Sequence, residues 1–310
     1  MPSGLHRKIF VTGATGFIGQ ALVRALVRRG ESVIAASRKP RPQATGHSVV
    51  EWRQCDLLQA GSLVDAMAGV DVAYYLVHSM GSGQADYGDA ERRAAEAFVD
   101  ASARSGIERI VYLGGPAPSG RPSEHLRSRL RVGEILRAGK VPTVELRASM
   151  VIGNGSTSWQ IVRDLGTRLP VMILPKWLKS RTRPVAIDDV IAALVAASTI
   201  ALPSSEWFDV PGPEVMTGRE ILERIGALRG RQILAMEIPL LTPQLSALWL
   251  KLVTRADFAV ARELVLGLSE DLLPSDERFW QLIGHTELLP FDEAARRALL
   301  SEKQSPETLE

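Results

Sequence analysis

Lys8-Ile9-Phe10-Val11-Thr12-Gly13-Ala14-Thr15-Gly16-Phe17-Ile18-Gly19 is the stretch that decides the fold. Lys8 to Val11 has the β-branched and aromatic character of a short strand, and it runs directly into three glycines at spacings of three. Beyond them Ile18, Ala21, Leu22, Ala25 and Leu26 recur at helical spacing until Gly30 ends the helix. Each glycine has a use in such a turn. Gly13 permits the tight exit from the strand, Gly16 lets the backbone approach a pyrophosphate, and Gly19 lets the helix pack closely on a sheet. The first helical turn then offers unpaired N–H groups to an anion. Glycine spacing alone is weak evidence. Here the strand before it and the amphipathic helix after it supply the context, leaving a ligand-free glycine turn as the alternative.

The same alternation continues outward. Val33 to Ala36, Val49 to Gln54, Val72 to Val77, Ile110 to Leu113 and Thr143 to Leu146 read as further strands. Helices are expected around Leu63 to Met67, Asp89 to Ser105 and Leu126 to Ala138. Strands separated by helices of this length predict βαβ units, and the near absence of polar alternation in Val72 to Val77 predicts burial on both faces. The fold class is therefore α/β, a Rossmann-type doubly wound parallel sheet over residues 1–150. After about Met150 the rhythm loosens, with prolines at 170, 175, 184, 211 and 213 cutting the chain into short pieces. Thr217 and Glu220 form the sequence of a capping box opening a helix to Leu228, and Gln232 to Met236 is a candidate strand. Residues 151–310 are expected to form a smaller, mainly helical lobe, partly interleaved with the sheet, over the strand ends where α/β ligands bind.

Composition sets limits. The 310 residues are 45% apolar and 23% charged with net charge +2, so no global charge points to nucleic acid. The single cysteine, Cys55, excludes an internal disulfide framework and a multi-cysteine metal site, and it reads as a buried thiol. His78, His125 and His285 lack ligand spacing, so no metal is expected. No stretch reaches the apolar length of a transmembrane helix, and no signal-peptide core precedes the first strand, so a cytoplasmic protein is expected. Lys176, Lys179, Arg181 and Arg183, with Trp177 among them, form a basic loop. A solvated loop is its commoner meaning, and an anionic substrate, membrane surface or protein partner the rarer one. Trp249 to Leu268 is amphipathic and reads as core, with a dimer face as the lesser reading.

Cofactor choice is read at the end of the second strand. A carboxylate there would bind the ribose 2′-hydroxyl of NAD. This chain has Ser37-Arg38-Lys39 instead, a hydroxyl and cations suited to a 2′-phosphate. NADP is expected, with NAD the alternative.

These residues, with others in order along the chain, resemble the extended or atypical short-chain dehydrogenase/reductase superfamily, most closely its NmrA-like and nucleoside-diphosphate-sugar-epimerase-like members. The resemblance implies cofactor contacts from Gly13, Thr15, Gly16, Phe17, Ile18 and Gly19 in the glycine loop and from Ser37 and Arg38. It implies further contacts from Asp56 and Leu57 after the third strand and from Leu76, Val77 and His78 after the fourth. Arg147 to Gly153 resembles the segment folding over the nicotinamide, and Pro184 to Val190 the strand-to-helix segment beneath the substrate lobe.

The chain departs from the family at its chemistry. The superfamily uses a serine after the fifth strand and a Tyr-x-x-x-Lys pair on the next helix. This sequence reads Tyr112-Leu113-Gly114-Gly115 and then His125 with Arg129 four residues on. In the enzymatic reading His125 is a general acid, and Arg129 binds ribose hydroxyls or a substrate anion. In the silent reading His125 is a surface residue on a basic stretch. Ser79, Tyr87 and Ser149 are substitute donors, although Tyr87 also reads as a packing residue. The leading expectation is an NADP(H)-binding reductase or epimerase-like enzyme on a small carbonyl or sugar-derived substrate. The alternative is a non-catalytic NAD(P)H sensor or accessory subunit lacking the Ser-Tyr-Lys set, and a peripheral membrane or assembly factor is the third. A homodimer or protein partner is compatible with each.

Overall fold

The computed structural model describes residues 7–41, 50–77, 87–120, 122–168, 171–174, 176–231, 234–237 and 270–304. Its first half alternates as the apolar runs require: β1 (Lys8–Val11), α1 (Phe17–Arg28), β2 (Ser32–Ser37), β3 (Val50–Gln54), α2 (Ala60–Ala66), β4 (Val72–Tyr75), α3 (Tyr87–Arg104), β5 (Arg109–Gly114), α4 (Glu124–Ala138) and β6 (Thr143–Arg147). The second half holds β7 (Val151–Ile152), α5 (Thr157–Arg168), β8 (Val171–Leu174), a 3-10 turn at Lys176–Lys179, β9 (Arg181–Thr182), β10 (Val185–Ala186) and α6 (Ile187–Ala197). It continues with β11 (Glu206–Asp209), β12 (Met216–Thr217), α7 (Gly218–Leu228), β13 (Leu234–Glu237), α8 (Arg278–Leu282) and α9 (Phe291–Gln304).

Seven strands form one parallel sheet in the order β11-β6-β5-β4-β1-β2-β3. The order in which strands are added reverses between β1 and β4, so a crevice opens at their carboxyl ends. Period-two geometry divides the apolar strand residues between two faces. Ile9, Val11, Val33, Val72, Tyr74, Val111 and Leu146 pack under α1 and α6 with Leu22, Leu26, Val190 and Leu194. Phe10, Ile34, Ala73, Tyr75, Ile110 and Tyr112 pack on the other face with Leu63, Phe98 and Leu136 from α2, α3 and α4. This two-sided burial accounts for the absence of polar alternation in these strands.

Two sequence expectations are corrected. The fourth strand ends at Tyr75 rather than Val77, because Leu76 leaves the ladder to pass against Gly13. The sheet also gains a seventh strand, β11, which pairs parallel with β6. The second half builds a separate core in which Trp159, Ile161 and Leu165 of α5 meet Ile221 and Ile225 of α7 and Phe291 and Leu299 of α9. The expected capping box is present: Thr217 accepts from Glu220 N–H, and the Glu220 carboxylate accepts from Thr217 N–H. Those bonds hold the Glu220 carboxyl below its usual range. Cys55 is a free, buried thiol, and burial pushes its pKa up to about 11. His78, Ser79 and the stretch Trp249 to Leu268 lie outside the described residues. Among the described residues no helix is long and apolar enough to cross a membrane.

Candidate functional site

The glycine loop is shaped by what it cannot accommodate. Gly13 sits at φ +65°, and a Cβ there would lie 2.7 Å from the Leu76 carbonyl oxygen. At Gly19 a Cβ would overlap the Gly13 carbonyl and stand 2.7 Å from Ala14 Cα. The loop closes on itself through Gly16 N–H donating to Gly13 O at 2.9 Å, and Thr12 Oγ1 donates to Tyr74 O at 2.9 Å to fix its root. Helix α1 then begins at Phe17 after Gly16 as its N-cap residue, with no side-chain cap and no acidic residue in its first turn. The N–H groups that begin a helix lack intrahelical acceptors. Their direction and the helix dipole suit a phosphate. The residues present therefore fit a dinucleotide pyrophosphate.

These residues open onto a cleft of about 870 Å³. Gly13, Thr15, Gly16, Phe17, Ile18 and Gly19 line it, as do Ser37, Arg38, Asp56, Leu57, Leu76 and Val77. Twelve of the thirteen residues expected to touch cofactor thus share one space, while His78 falls outside the described residues. Arg38 is exposed at the lip, with no ion pair among the described residues, and its carbonyl takes a bond from Gln54 Nε2 at 3.3 Å. Asp56 uses Oδ1 to cap Leu58 N–H at 3.0 Å, which sets the turn after β3.

The floor of the cleft is made where β5 meets α4. Ser123 caps α4, accepting from Leu126 N–H at 3.3 Å, and so places His125 in the first turn with Arg129 one turn later on the same face. Both line the cleft. His125 is only 6% exposed, so the reading of it as a surface residue does not hold. Arg129 donates to Leu113 O at 2.8 Å, and its Nε is buried without a hydrogen-bond partner among the described residues. Tyr112 is turned away from the cleft: its hydroxyl donates to Arg129 O at 3.1 Å, and burial pushes its pKa far up. Ser149 lines the cleft but donates to Arg183 O at 2.8 Å.

The glycines that stand where the family carries serine have a packing cause. A Cβ on Gly115 would come within 3.2 Å of Arg129 Nε and Leu126 Cδ2. A Cβ on Gly114 would come within 3.1 Å of Glu145 Oε1. Glu145 is fully buried and takes Arg147 Nε at 2.8 Å and Arg137 Nε at 2.7 Å. Arg147 in turn lies over the Trp207 ring at 4.1 Å. Sequence reasoning missed this network, although a glutamate inside the apolar run Thr143 to Leu146 was its visible sign. It also missed Glu91, which lines the cleft and accepts a hydrogen bond from Ser128, and Thr182, which lines the opposite wall. In the basic segment Arg181 pairs with Asp271 at 2.6 Å and Arg183 pairs with Glu277.

Residues 13–165 match the family model described as NAD(P)H-binding. Over this part the chain is similar to NAD(P)H-binding domains. The domain is 36% identical over 116 residues to a 2-alkyl-3-oxoalkanoate reductase of Stenotrophomonas maltophilia, covering 37% of this chain and 35% of the relative. A (4-alkanoyl-5-oxo-2,5-dihydrofuran-3-yl)methyl phosphate reductase of Streptomyces griseus is 28% identical over 235 residues, 73% of this chain and 75% of that one. The chain spans 35 to 38% of the length of the first curated relatives it matches. Among solved structures, MoeE5 in complex with UDP-glucuronic acid and NAD superposes with TM-score 0.73 at 17% identity, covering 96% of this chain and 99% of that one. At that identity the likeness concerns the fold, a Rossmann-type sheet with a smaller lobe over it.

Proposed function

We propose that this chain is an NADP(H)-dependent reductase of a small carbonyl compound, with residues 1–150 holding cofactor and residues 151–310 holding substrate. The observation that carries the proposal is the shared cleft. The glycine loop, the Ser37-Arg38 pair, and His125 with Arg129 all face one space. When bound, the reduced nicotinamide supplies a hydride to the carbonyl carbon. Every other requirement falls to the chain. The first-turn N–H groups of Phe17, Ile18 and Gly19 take the pyrophosphate, and Ser37 with Arg38 takes the 2′-phosphate. Protonated His125 donates its ring proton to the carbonyl oxygen as that oxygen gains charge, so hydride and proton together give the alcohol. Arg129 cannot shuttle a proton and acts by orienting ribose or substrate oxygens. The two relatives named as reductases support the direction of the reaction. A cytoplasmic setting belongs to the same proposal and rests on the unpaired Cys55.

A second reading, a non-catalytic NAD(P)H sensor or accessory subunit, is favoured by one observation: a Cβ at Gly114 or Gly115 would stand within 3.2 Å of Glu145 or Arg129, so a serine at either position would require those side chains to give way. One measurement tests the cofactor choice and a second separates the two readings. Removing the Arg38 guanidinium in Arg38→Ala is expected to weaken NADPH by about tenfold or more while leaving NADH within about twofold, since a charge-assisted contact to phosphate is worth roughly 1.5–3 kcal/mol. Equal losses for both cofactors would show that Arg38 does not read the 2′-phosphate. For catalysis, NADPH oxidation is followed against a panel of aldehydes, ketones and quinones. His125→Gln is expected to lower kcat by about a hundredfold with cofactor binding unchanged. No oxidation by the unmodified protein across the panel would favour the sensor.

A further inference from the structure

The lobe side of the cleft is chemically different from the cofactor side. Six of the residues facing it there are Ile161, Val162, Leu165, Leu178, Ile221 and Leu222, contributed by α5, the 3-10 turn and α7. All belong to the core of the lobe, so their side chains are fixed by packing rather than free to turn away. Polar residues border this apolar wall, and Thr182 and Arg181 differ in how they are engaged. Thr182 is 2% exposed, lines the cleft, and its Oγ1 has no hydrogen-bond partner among the described residues. Arg181 beside it is occupied: Nε and Nη2 reach Asp271 Oδ2 at 3.0 and 2.6 Å, and its own N–H reaches Oδ1 at 2.7 Å. That pair holds the Asp271 carboxyl below its usual range, as a cation bound at short distance must. A further carboxylate, Glu270, also lines the cleft.

A nucleotide sugar would need cations or backbone donors for its pyrophosphate on this side, and hydrogen-bonding groups for each sugar hydroxyl. Polar residues line the lobe side as well, Ser156, Thr157, Ser158, Ser180 and Arg181 among them. The Ser156 and Ser158 hydroxyls, however, bond each other at 3.0 Å, Arg181 is held by Asp271, and Glu270 would repel an anion. Hydrocarbon meets no such penalty there, and an apolar wall gains from being covered. A buried hydroxyl with no partner is costly unless a ligand satisfies it.

We infer that the substrate of this cleft is a carbonyl compound with a hydrocarbon body, an alkyl chain or apolar ring system, anchored by one hydrogen bond to Thr182, and not a nucleotide sugar. The inference deepens the reductase reading and rests on it for the position of the carbonyl.

The test is calorimetric binding of straight-chain alkan-2-ones from pentan-2-one to decan-2-one, and of UDP-glucose, to the full-length protein. Each titration is done with saturating NADP⁺, so that no hydride transfer can run, and repeated on the protein without nucleotide. Affinity is expected to rise by about fourfold for each added methylene, the gain from burying that group. Leu222→Gln should flatten that dependence. Thr182→Val should weaken every ketone by about fivefold, the loss of one neutral hydrogen bond, while keeping the slope. UDP-glucose is expected to give no saturable heat. A flat series, or UDP-glucose binding more tightly than decan-2-one, would overturn the inference. The chain-length slope is read on the unmodified protein, so misfolding of the Leu222 variant does not remove the test. Absence of NADP⁺ binding would count against the cofactor reading alone, because the series on the nucleotide-free protein still reports on the apolar wall.

Discussion

Gly19→Ala is expected to weaken NADPH binding by at least about tenfold and to destabilise the fold by about 1–3 kcal/mol, the cost of forcing an extra carbon into a packed site. The reason is geometric. The added carbon would overlap the Gly13 carbonyl and stand 2.7 Å from Ala14 Cα, and both neighbours are backbone. Relief requires the loop or the start of α1 to move, and either movement takes the Phe17 and Ile18 N–H groups away from the phosphate position. Fluorescence titration with NADPH and urea unfolding of the same variant give the two quantities. Wild-type affinity in a stably folded variant would mean that the loop does not hold the pyrophosphate. The comparison position is Gly61, which meets nothing within 4 Å, so Gly61→Ala should leave binding unchanged.

The second large effect lies beneath the cleft. Glu145→Gln is expected to destabilise the protein by about 3–5 kcal/mol, because it removes the anion from a buried cluster and leaves the cations behind. Glu145 is fully buried between Arg137 and Arg147, and the Arg147 side chain is only 9% exposed, lying on Trp207. Glutamine keeps the volume and the acceptor but not the charge. Adding Arg147→Met to the same variant should recover part of the loss, since replacing a buried pair whole costs far less than breaking it. Urea unfolding of the single and double variants decides the matter. A loss under about 1 kcal/mol for Glu145→Gln would show the cluster to be no better than an exposed pair.

The sheet was readable in the sequence wherever burial on two faces had written an uninterrupted apolar run. Ile9 to Val11, Val72 to Tyr75 and Ile110 to Leu113 are such runs, and their places in the parallel sheet follow from the helices between them. The seventh strand carries no such mark. Glu206-Trp207-Phe208-Asp209 owes its position to partners distant in sequence: Arg278 binds Glu206 at 2.5 Å, and Asp209 accepts Ser275 N–H at 2.6 Å. Burial raises the Asp209 pKa against the pull of those bonds, a cost that local sequence does not display. The two-residue strands β7, β9, β10 and β12 are likewise too short for any periodicity to show.

At the site, the glycine loop was legible because its geometry needs glycine whatever lies around it. The His125 and Arg129 pair was legible by spacing, but its burial was not. That burial follows from the Ser123 cap and from the packing of α4 on β5, neither of which fixes exposure in the sequence. The exchange of serine for glycine at Gly114 and Gly115 looked like a deletion of chemistry. In the structure it makes room for Glu145 and Arg129. Thr182 was invisible because an unpartnered hydroxyl is a property of three-dimensional surroundings and not of residue type.

The most direct measurement is isothermal titration of the full-length protein with NADPH at constant salt. The cleft described above predicts saturable binding of one NADPH per chain, with NADH weaker by about tenfold or more for want of the 2′-phosphate contact. Absence of saturable heat up to millimolar NADPH, in protein that unfolds cooperatively, would contradict it.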